Sequence, residues 1–161
     1  ELGRAVAKLA EAFGMKVLVG NLPNRPSDTS RVPFAELLAQ VDFLSLHCPL
    51  TEDTKHLMST AEFEAMKPSA FLINCARGGI VNEQDLADAL IAGKIAGAAT
   101  DVLLVEPPKD GNVLLNSEIP NLLITPHSAW GSVDARQRIV QQMVENVEAF
   151  KKGQPIRQVN A

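Results

Sequence analysis

The sequence has no excess of basic residues, only two cysteines, and no apolar run of membrane-spanning length. The net charge of −4 and the pI of about 5.4 argue against the basic surface of a nucleic-acid-binding protein. Two cysteines do not make the disulfide framework of a small secreted protein, and a bilayer span needs about 20 apolar residues. The N-terminus also has no charged-then-apolar signal pattern. We therefore expect a protein of the reducing cytoplasm.

Short apolar runs alternate with helix-like segments along the chain. Hydrophobic residues make up 46% of the sequence and charged residues 21%, as in a globular domain. The expected strands are 16–20, 42–46, 70–74, 95–102 and 121–125. The expected helices are 3–12, 33–40, 59–66, 82–92 and 132–152. This order predicts an α/β fold in which helices cover both faces of a parallel sheet.

Polar residues follow the ends of several predicted strands. His47 follows the second of them, Arg77 closes the turn after the third, and His127 follows the last. The small-residue strand 95–102 contains Thr100 and Asp101 near its end. Since parallel strands have their carboxyl ends at one edge of a sheet, a ligand crevice is expected there.

Four residues near that edge form a candidate proton-transfer site: Arg77, Asp101, Glu106 and His127. A histidine gives or takes protons near neutral pH, a carboxylate can orient its ring, and an arginine matches a substrate carboxylate. Each residue has a simpler interpretation. Arg77 fits a surface Gly-Gly turn, Asp101 a turn cap, Glu106 a surface carboxylate, and His127 a loop histidine.

Covalent and metal-dependent chemistry find little support in the sequence. No serine or cysteine stands beside an obvious base that could activate it as a nucleophile. Cys48 and Cys75 follow separate strands, and together with His47 and His56 they lack the paired spacing of zinc ligands, so we expect no metal site.

Several motifs together resemble those of the D-isomer-specific 2-hydroxyacid dehydrogenases, which use NAD or NADP. They are His47-Cys48-Pro49-Leu50-Thr51, Asn74-Cys75-Ala76-Arg77-Gly78-Gly79, Asp101 to Glu106-Pro107-Pro108, and Thr125-Pro126-His127. The resemblance covers the whole chain and implies a Rossmann-type doubly wound sheet. The run from His127 to Gly131 is most similar to the glycerate dehydrogenase (hydroxypyruvate reductase) branch.

The resemblance also implies roles for individual residues. Arg77 would bind the substrate, His127 would be the acid/base and Glu106 its carboxylate partner, in the reduction of a 2-keto acid such as hydroxypyruvate to a D-2-hydroxy acid. Asp101 would contact the nicotinamide end of the cofactor. The other expected cofactor-binding residues are Glu1, Leu2, Gly3, Asn21, Cys48, Pro49, Cys75, Ala76, Arg77, His127, Ala129 and Trp130.

The chain departs from the family at its N-terminus. Only Glu1-Leu2-Gly3 matches the tail of the G-x-G-x-x-G phosphate loop, so we expect the family's first strand and N-terminal substrate domain to be missing from these 161 residues. Residues 1–152 would be a partial dinucleotide-binding domain and 153–161 a tail returning toward the substrate domain. In the order 3-2-1-4-5-6, the lost strand would separate 16–20 from 70–74. We expect another segment to fill that slot, and a homodimer.

A second departure affects the choice of cofactor. Where the family has an acidic residue for the adenosine ribose, this chain has Gly20-Asn21, with Arg25 nearby. These residues are compatible with the 2′-phosphate of NADP and also with NAD. Two further interpretations stay open: a dinucleotide-sensing interaction protein, like the corepressor relatives of this family, and an inactive fragment of the enzyme.

Overall fold

The computed structural model describes residues 2–23 and 28–158, which form two compact units divided after Pro126. The first unit contains four short strands and four α-helices. They are α1 (Leu2–Ala12), α2 (Phe34–Gln40), β1 (Phe43–Leu46), α3 (Thr60–Ala65), β2 (Phe71–Asn74), α4 (Glu83–Ile91), β3 (Gly97–Thr100) and β4 (Leu122–Ile124). A 3-10 helix at Val113–Leu115 lies within a segment that the sequence predicts as loop.

The four strands form one parallel sheet in the order β1-β2-β3-β4. Phe43 lies beside Phe71 and Phe71 beside Gly97, while Leu46 lies beside Asn74 and Asn74 beside Thr100. The α/β class and the parallel sheet are therefore confirmed. Because all strands run the same way, their carboxyl ends share one edge, which we call the carboxyl edge.

The main core lies on one face of this sheet. Alternate strand residues, among them Leu44, Leu72 and Ala98, join Phe63 of α3 and Leu86 of α4 in one buried cluster. Strand side chains alternate between faces, so the intervening residues point the other way. There the rings of Phe43 and Phe71 stack with centroids 5.5 Å apart and remain exposed.

The predicted strand 16–20 is wrong. Only Gly20 pairs in this segment, through one parallel bridge to Val32. A strand needs a neighbouring strand to which it can form a ladder of hydrogen bonds. In the described part of the chain, this segment has a single bridging residue, Val32. The expected position of the gap is also wrong, because β2 pairs on both sides, with β1 and β3. Within the described residues, β1 and β4 are the two edge strands, each paired on one side only.

Side-chain caps fix the helix starts where the sequence predicts them. The carboxylate of Glu62 accepts the Ser59 N–H at 3.1 Å at the start of α3. The side-chain Oδ1 of Asn82 accepts the N–H groups of Gln84 and Asp85 at the start of α4. These bonds satisfy donors that the first helical turn leaves without intrahelical partners.

Helix α1 is apolar on two sides. Its small residues are half-buried: Gly3, Ala7 and Ala10. Its large apolar residues are exposed: Leu2 by 77%, Val6 by 42% and Leu9 by 62%, with Phe13 just beyond the helix by 83%. A row of this kind on a globular domain marks a contact surface.

The second unit consists mainly of α5 (Val133–Lys151), whose N-cap Ser132 accepts the Ala135 N–H at 3.1 Å. The following segment returns along this helix, where Arg157 donates to Glu145 Oε2 at 2.6 Å and to Asn146 Oδ1 at 3.1 Å. Among residues 2–23 and 28–158, no helix combines the length and hydropathy that crossing a bilayer requires.

Candidate active site

The turn after β2 is built by a buried asparagine. Asn74 is 3% exposed, and its Oδ1 accepts the Ala76 N–H while its Nδ2 donates to the Arg77 carbonyl, both at 3.1 Å. These two bonds fold the chain back at the carboxyl edge. Arg77 is exposed on this turn, and its Nη1 donates to the Ala76 carbonyl at 2.6 Å. The guanidinium therefore lies at the strand end where the sequence predicts it.

The Gly78-Gly79 pair packs this turn against the segment that follows β3. A Cβ on Gly78 would lie 2.0 Å from the Leu103 carbonyl oxygen and 2.7 Å from the Leu104 nitrogen. Gly79 has φ +79°, a left-handed conformation that glycine adopts without steric cost. The turn carrying Arg77 and the segment 103–106 are thus in direct backbone contact.

Asp101 joins the ends of three strands. Its N–H donates to the Asn74 carbonyl at 3.0 Å, and its Oδ1 accepts the hydroxyl of Thr125. The Thr125 N–H in turn donates to the Thr100 carbonyl at 3.0 Å. Asp101 is 4% exposed, so a carboxylate is held inside the carboxyl edge beside the Arg77 turn.

The charge of Asp101 extends to the neighbouring thiol. Partial burial of Cys75 raises its pKa, and the negative charge of Asp101 raises the pKa further. A raised pKa favours the neutral thiol, which is the weaker nucleophile. The other cysteine, Cys48, follows β1 and is half-buried.

His47 follows β1 and lies against the start of α1. Its Nε2 lies 3.0 Å from the Ser45 hydroxyl, and partial burial of the ring lowers its pKa. A Cβ on Gly3 would lie 3.2 Å from His47 Cβ, so the glycine permits this close approach. The N-terminal end of α1 is thereby placed beside the carboxyl edge. Leu2 is exposed there, and Glu1 lies outside the described residues.

A buried threonine shapes the loop that follows Cys48. Thr54 is 1% exposed, and its hydroxyl donates to the Pro49 carbonyl at 2.6 Å and accepts the Thr51 N–H at 2.8 Å. Two residues further on, the His56 N–H donates to the Gly79 carbonyl at 2.8 Å. The loops after β1 and β2 are therefore connected. Sequence analysis missed Thr54, for which the spacing of Thr51 and Thr54 was the available signal.

Glu106 is exposed, and its Oε1 accepts the Leu103 N–H at 2.7 Å. The next amide, that of Leu104, donates to Glu83 Oε1 at 2.6 Å, while Glu83 Oε2 accepts from Asn112 Nδ2 at 2.7 Å. Sequence analysis missed Glu83, because nothing in its surroundings shows that the side chain reaches across to another loop.

His127 opens the second unit and is described within it. It has φ +51°, which is uncommon for a residue other than glycine. Its carbonyl accepts the indole N–H of Trp130 at 2.9 Å, and both side chains are exposed, as is Ala129. A tight turn thus presents the His127 imidazole directly after Pro126.

Asn21 directly follows the predicted strand 16–20. Its N–H donates to the Val32 carbonyl at 2.8 Å and its side-chain amide to the Asp28 carbonyl at 3.0 Å. Hydrogen bonds from Ser30 lower the pKa of the Asp28 carboxyl, which keeps a negative charge in this loop. Arg25 lies outside the described residues. No group of three or more potential metal ligands occurs in the described parts of the chain.

Residues 1–129 match the model of the D-isomer specific 2-hydroxyacid dehydrogenase NAD binding domain. The chain is 49% identical over 160 residues to a glycerate dehydrogenase of Methylorubrum extorquens, covering 99% of this chain and 50% of that protein. It is 39% identical over 163 residues to a hydroxypyruvate reductase of Blautia hydrogenotrophica, covering 99% and 50%. The chain thus spans about half the length of these relatives.

Solved structures give the same result. An acyclic imino acid reductase in complex with NADPH and D-Arg is 33% identical with a TM-score of 0.85, covering 98% of this chain and 50% of that one. The NAD-complexed D-isomer specific 2-hydroxyacid dehydrogenase of Lactobacillus delbrueckii ssp. bulgaricus is 35% identical with a TM-score of 0.82, covering 98% and 52%. The chain belongs to the D-isomer-specific 2-hydroxyacid dehydrogenase family.

Proposed function

We propose that the full-length protein is an NAD(P)-dependent oxidoreductase that reduces a 2-keto acid, hydroxypyruvate first among the candidates, to the D-2-hydroxy acid. The family match, which runs through His127, and the two relatives named for glycerate and hydroxypyruvate support this proposal. The observation that carries it is the carboxyl edge. There the exposed guanidinium of Arg77 lies on the turn that Asn74 folds, and the Asn74 carbonyl accepts the N–H of buried Asp101.

The residues at the carboxyl edge fit a dinucleotide. Helix α1 begins beside His47 with a glycine that permits close approach, and a helix N-terminus favours anionic phosphate groups. We assign cofactor binding to the residues that the family motifs imply: Glu1, Leu2, Gly3, Asn21, Cys48, Pro49, Cys75, Ala76, Arg77, Asp101, His127, Ala129 and Trp130. When bound, the nicotinamide supplies the hydride.

The chain's own residues bind the substrate and move a proton. The planar donors of Arg77 hold the substrate carboxylate and polarise the adjacent carbonyl. His127 gives a proton to the carbonyl oxygen as the alcohol forms. The carboxylate of Glu106, as the partner of His127, favours the charged form of the His127 imidazole and fixes the tautomer of its neutral form. The roles of Glu106 and His127 rest on the family motifs and on the exposure of both side chains.

Replacement of His127 tests this proposal. In the full-length protein, His127→Ala should lower kcat by roughly 10²–10⁴-fold, the usual contribution of general acid catalysis. Cofactor affinity, measured by fluorescence titration, should fall far less than kcat, because His127 is one of many assigned cofactor contacts. His56→Ala is the control, because His56 lies on another loop. A His127→Ala variant that keeps more than about a tenth of wild-type kcat would contradict the assignment, because its loss of activity would be smaller than general acid catalysis contributes.

We propose that chain from outside the 161 residues pairs with the free side of β1, and that the protein is cytoplasmic. Unpaired buried backbone groups cost about 1–3 kcal/mol each, against a total stability of about 5–15 kcal/mol. The 161 residues expressed alone should therefore unfold without a cooperative transition and bind NAD(H) poorly. A monomer of this polypeptide that unfolds cooperatively and binds NAD(H) at micromolar affinity would refute the need for that chain.

We also propose a homodimer in which α1 contacts α1 of a second copy. The exposed row Leu2, Val6, Leu9 and Phe13 has spacings of 4, 3 and 4. The order of spacings is the same in both directions, so the row on one helix can pack against the same row on an antiparallel helix related by a two-fold axis. Leu9→Glu should give a monomer by light scattering, and the neighbouring Lys8→Glu should not. Equal masses for wild type and Leu9→Glu would exclude this surface.

A further inference from the structure

We propose that Glu83 is a positioning residue, whose single carboxylate holds the loop of Glu106 against the turn of Arg77. This inference rests on the proposed function for its kinetic consequences. Its structural basis is independent of that function. Glu83 is the first residue of α4, so it follows the Arg77 turn along the chain by six positions.

The carboxylate of Glu83 fastens both ends of segment 104–112. Oε1 accepts the Leu104 N–H at 2.6 Å, and Oε2 accepts from Asn112 Nδ2 at 2.7 Å. Asn112 is itself fixed, because its Oδ1 accepts the Leu114 N–H at 2.9 Å at the start of the 3-10 helix. Hydrogen bonds to a charged acceptor are about twice as strong as neutral ones.

The fastened segment includes Glu106. The Leu103 N–H donates to Glu106 Oε1 at 2.7 Å, and the adjacent Leu104 N–H donates to Glu83. Two neighbouring amides thus bind the two carboxylates, so the position of one constrains the other. On the same stretch of backbone, Gly78 makes its contact with Leu103. Glu83 and Gly78 together hold the Arg77 turn and the Glu106 loop as one unit.

Asp85 provides a matched control within the same helical turn. Its Oδ2 accepts the Thr60 N–H at 3.1 Å, so it too ties α4 to a distant backbone amide. That amide lies at the start of α3, away from the Glu106 loop. Glu83 and Asp85 therefore differ mainly in which segment they hold. A general effect of removing a carboxylate from this turn should appear in variants of both residues.

The test compares Glu83→Gln with Asp85→Asn in the full-length protein. A glutamine is uncharged and carries an NH₂ donor in place of one of the two carboxylate oxygens, so one of the two N–H groups loses its acceptor. By hydrogen exchange, amides 103–112 should exchange faster in Glu83→Gln and at the wild-type rate in Asp85→Asn. We expect kcat to fall by about 10–100-fold in Glu83→Gln, since a displacement of about 1 Å costs up to 10²-fold. The pH profile of kcat should shift, while cofactor affinity stays unchanged.

The outcomes separate the inference from the function on which it rests. Wild-type protein that reduces no keto acid would overturn the proposed function, and hydrogen exchange would still test the contacts of Glu83. Unchanged exchange of amides 103–112 in Glu83→Gln would overturn the inference. The inference would also be overturned if Glu83→Gln exchanged these amides faster but had the same kinetics and pH profile as Asp85→Asn. That result is expected of a purely structural residue. If Glu83→Gln fails to fold, Glu83→Asp, whose side chain is one methylene shorter, is tested instead. The same results in hydrogen exchange and in kinetics would then support or overturn the inference.

Discussion

Gly78→Ala should separate the Arg77 turn from the Glu106 loop. The added Cβ would lie 2.0 Å from the Leu103 carbonyl oxygen and 2.3 Å from its carbon, and separations under 3.0 Å essentially never occur. The obstacle is backbone, which cannot turn aside as a side chain can. One of the two segments must therefore move by at least 1.0 Å.

The size of the effect follows from that displacement. Overpacking of this kind costs about 1–3 kcal/mol, which lowers the Tm of a domain of this size by about 2–12 °C. A catalytic group displaced by about 1 Å can lose about 10²-fold in rate. We therefore expect a full-length Gly78→Ala protein that folds, melts several degrees lower and has kcat/KM reduced by about two orders of magnitude.

Circular dichroism melting and steady-state kinetics measure both effects, with Gly93→Ala as the control. Gly93 has φ +64° and no heavy atom within 4 Å of an added Cβ. An alanine there meets only the left-handed backbone penalty, about 1–2 kcal/mol. Gly93→Ala should lower Tm and leave kcat/KM unchanged. A Gly78→Ala protein with wild-type Tm, or with no greater loss of activity than Gly93→Ala, would refute the contact.

Three further predictions concern the carboxyl edge and the cofactor. Arg77→Lys should raise KM for the keto acid far more than Kd for the cofactor, because lysine keeps the charge and loses the planar pair of donors. Equal losses for the two ligands would contradict its role in holding the substrate carboxylate. Asn21→Asp should raise the ratio of kcat/KM for NADH to that for NADPH by adding a charge that repels a 2′-phosphate, with Asn116→Asp as the control; an unchanged ratio means that Asn21 does not face the ribose. Since Asp101 raises the pKa of Cys75, Asp101→Asn in a Cys48→Ser background should speed alkylation of Cys75 at pH 8; a slower reaction would contradict that cause.

The sheet could be predicted where strand and partner are both present in the sequence. The predicted strands 42–46, 70–74 and 121–125 match β1, β2 and β4 to within one residue at each end. Segment 16–20 has the same apolar character and forms only the bridge at Gly20. Its composition fits a strand, but a strand exists only through its neighbour. Apolar patterns do not carry that information.

The exposed side chains of the site were easier to predict from the sequence than the residues that hold their loops in place. Arg77 and Glu106 stand out because charged side chains beside glycines or prolines at strand ends have little reason to be there for packing. The spacing of Thr51 and Thr54 was a signal for Thr54, whereas Glu83 stands out only once the atoms that it binds are known. Its partners Leu104 and Asn112 lie 21 and 29 residues away along the chain. Sequence spacing predicts contacts within a helix turn or a capped end, and it does not reach contacts between loops.

Several of the contacts between loops involve the stretch from β2 to the start of α4. Asn74 folds the Arg77 turn, Gly78 packs on Leu103, and Glu83 binds Leu104 and Asn112. The His56 N–H reaches the same stretch through the Gly79 carbonyl. One continuous segment thus sets the position of the loops after β1, β2 and β3. Substitutions at its buried or glycine positions should therefore alter several site residues together, whereas Arg77, exposed on the same segment, can be replaced with only local consequences.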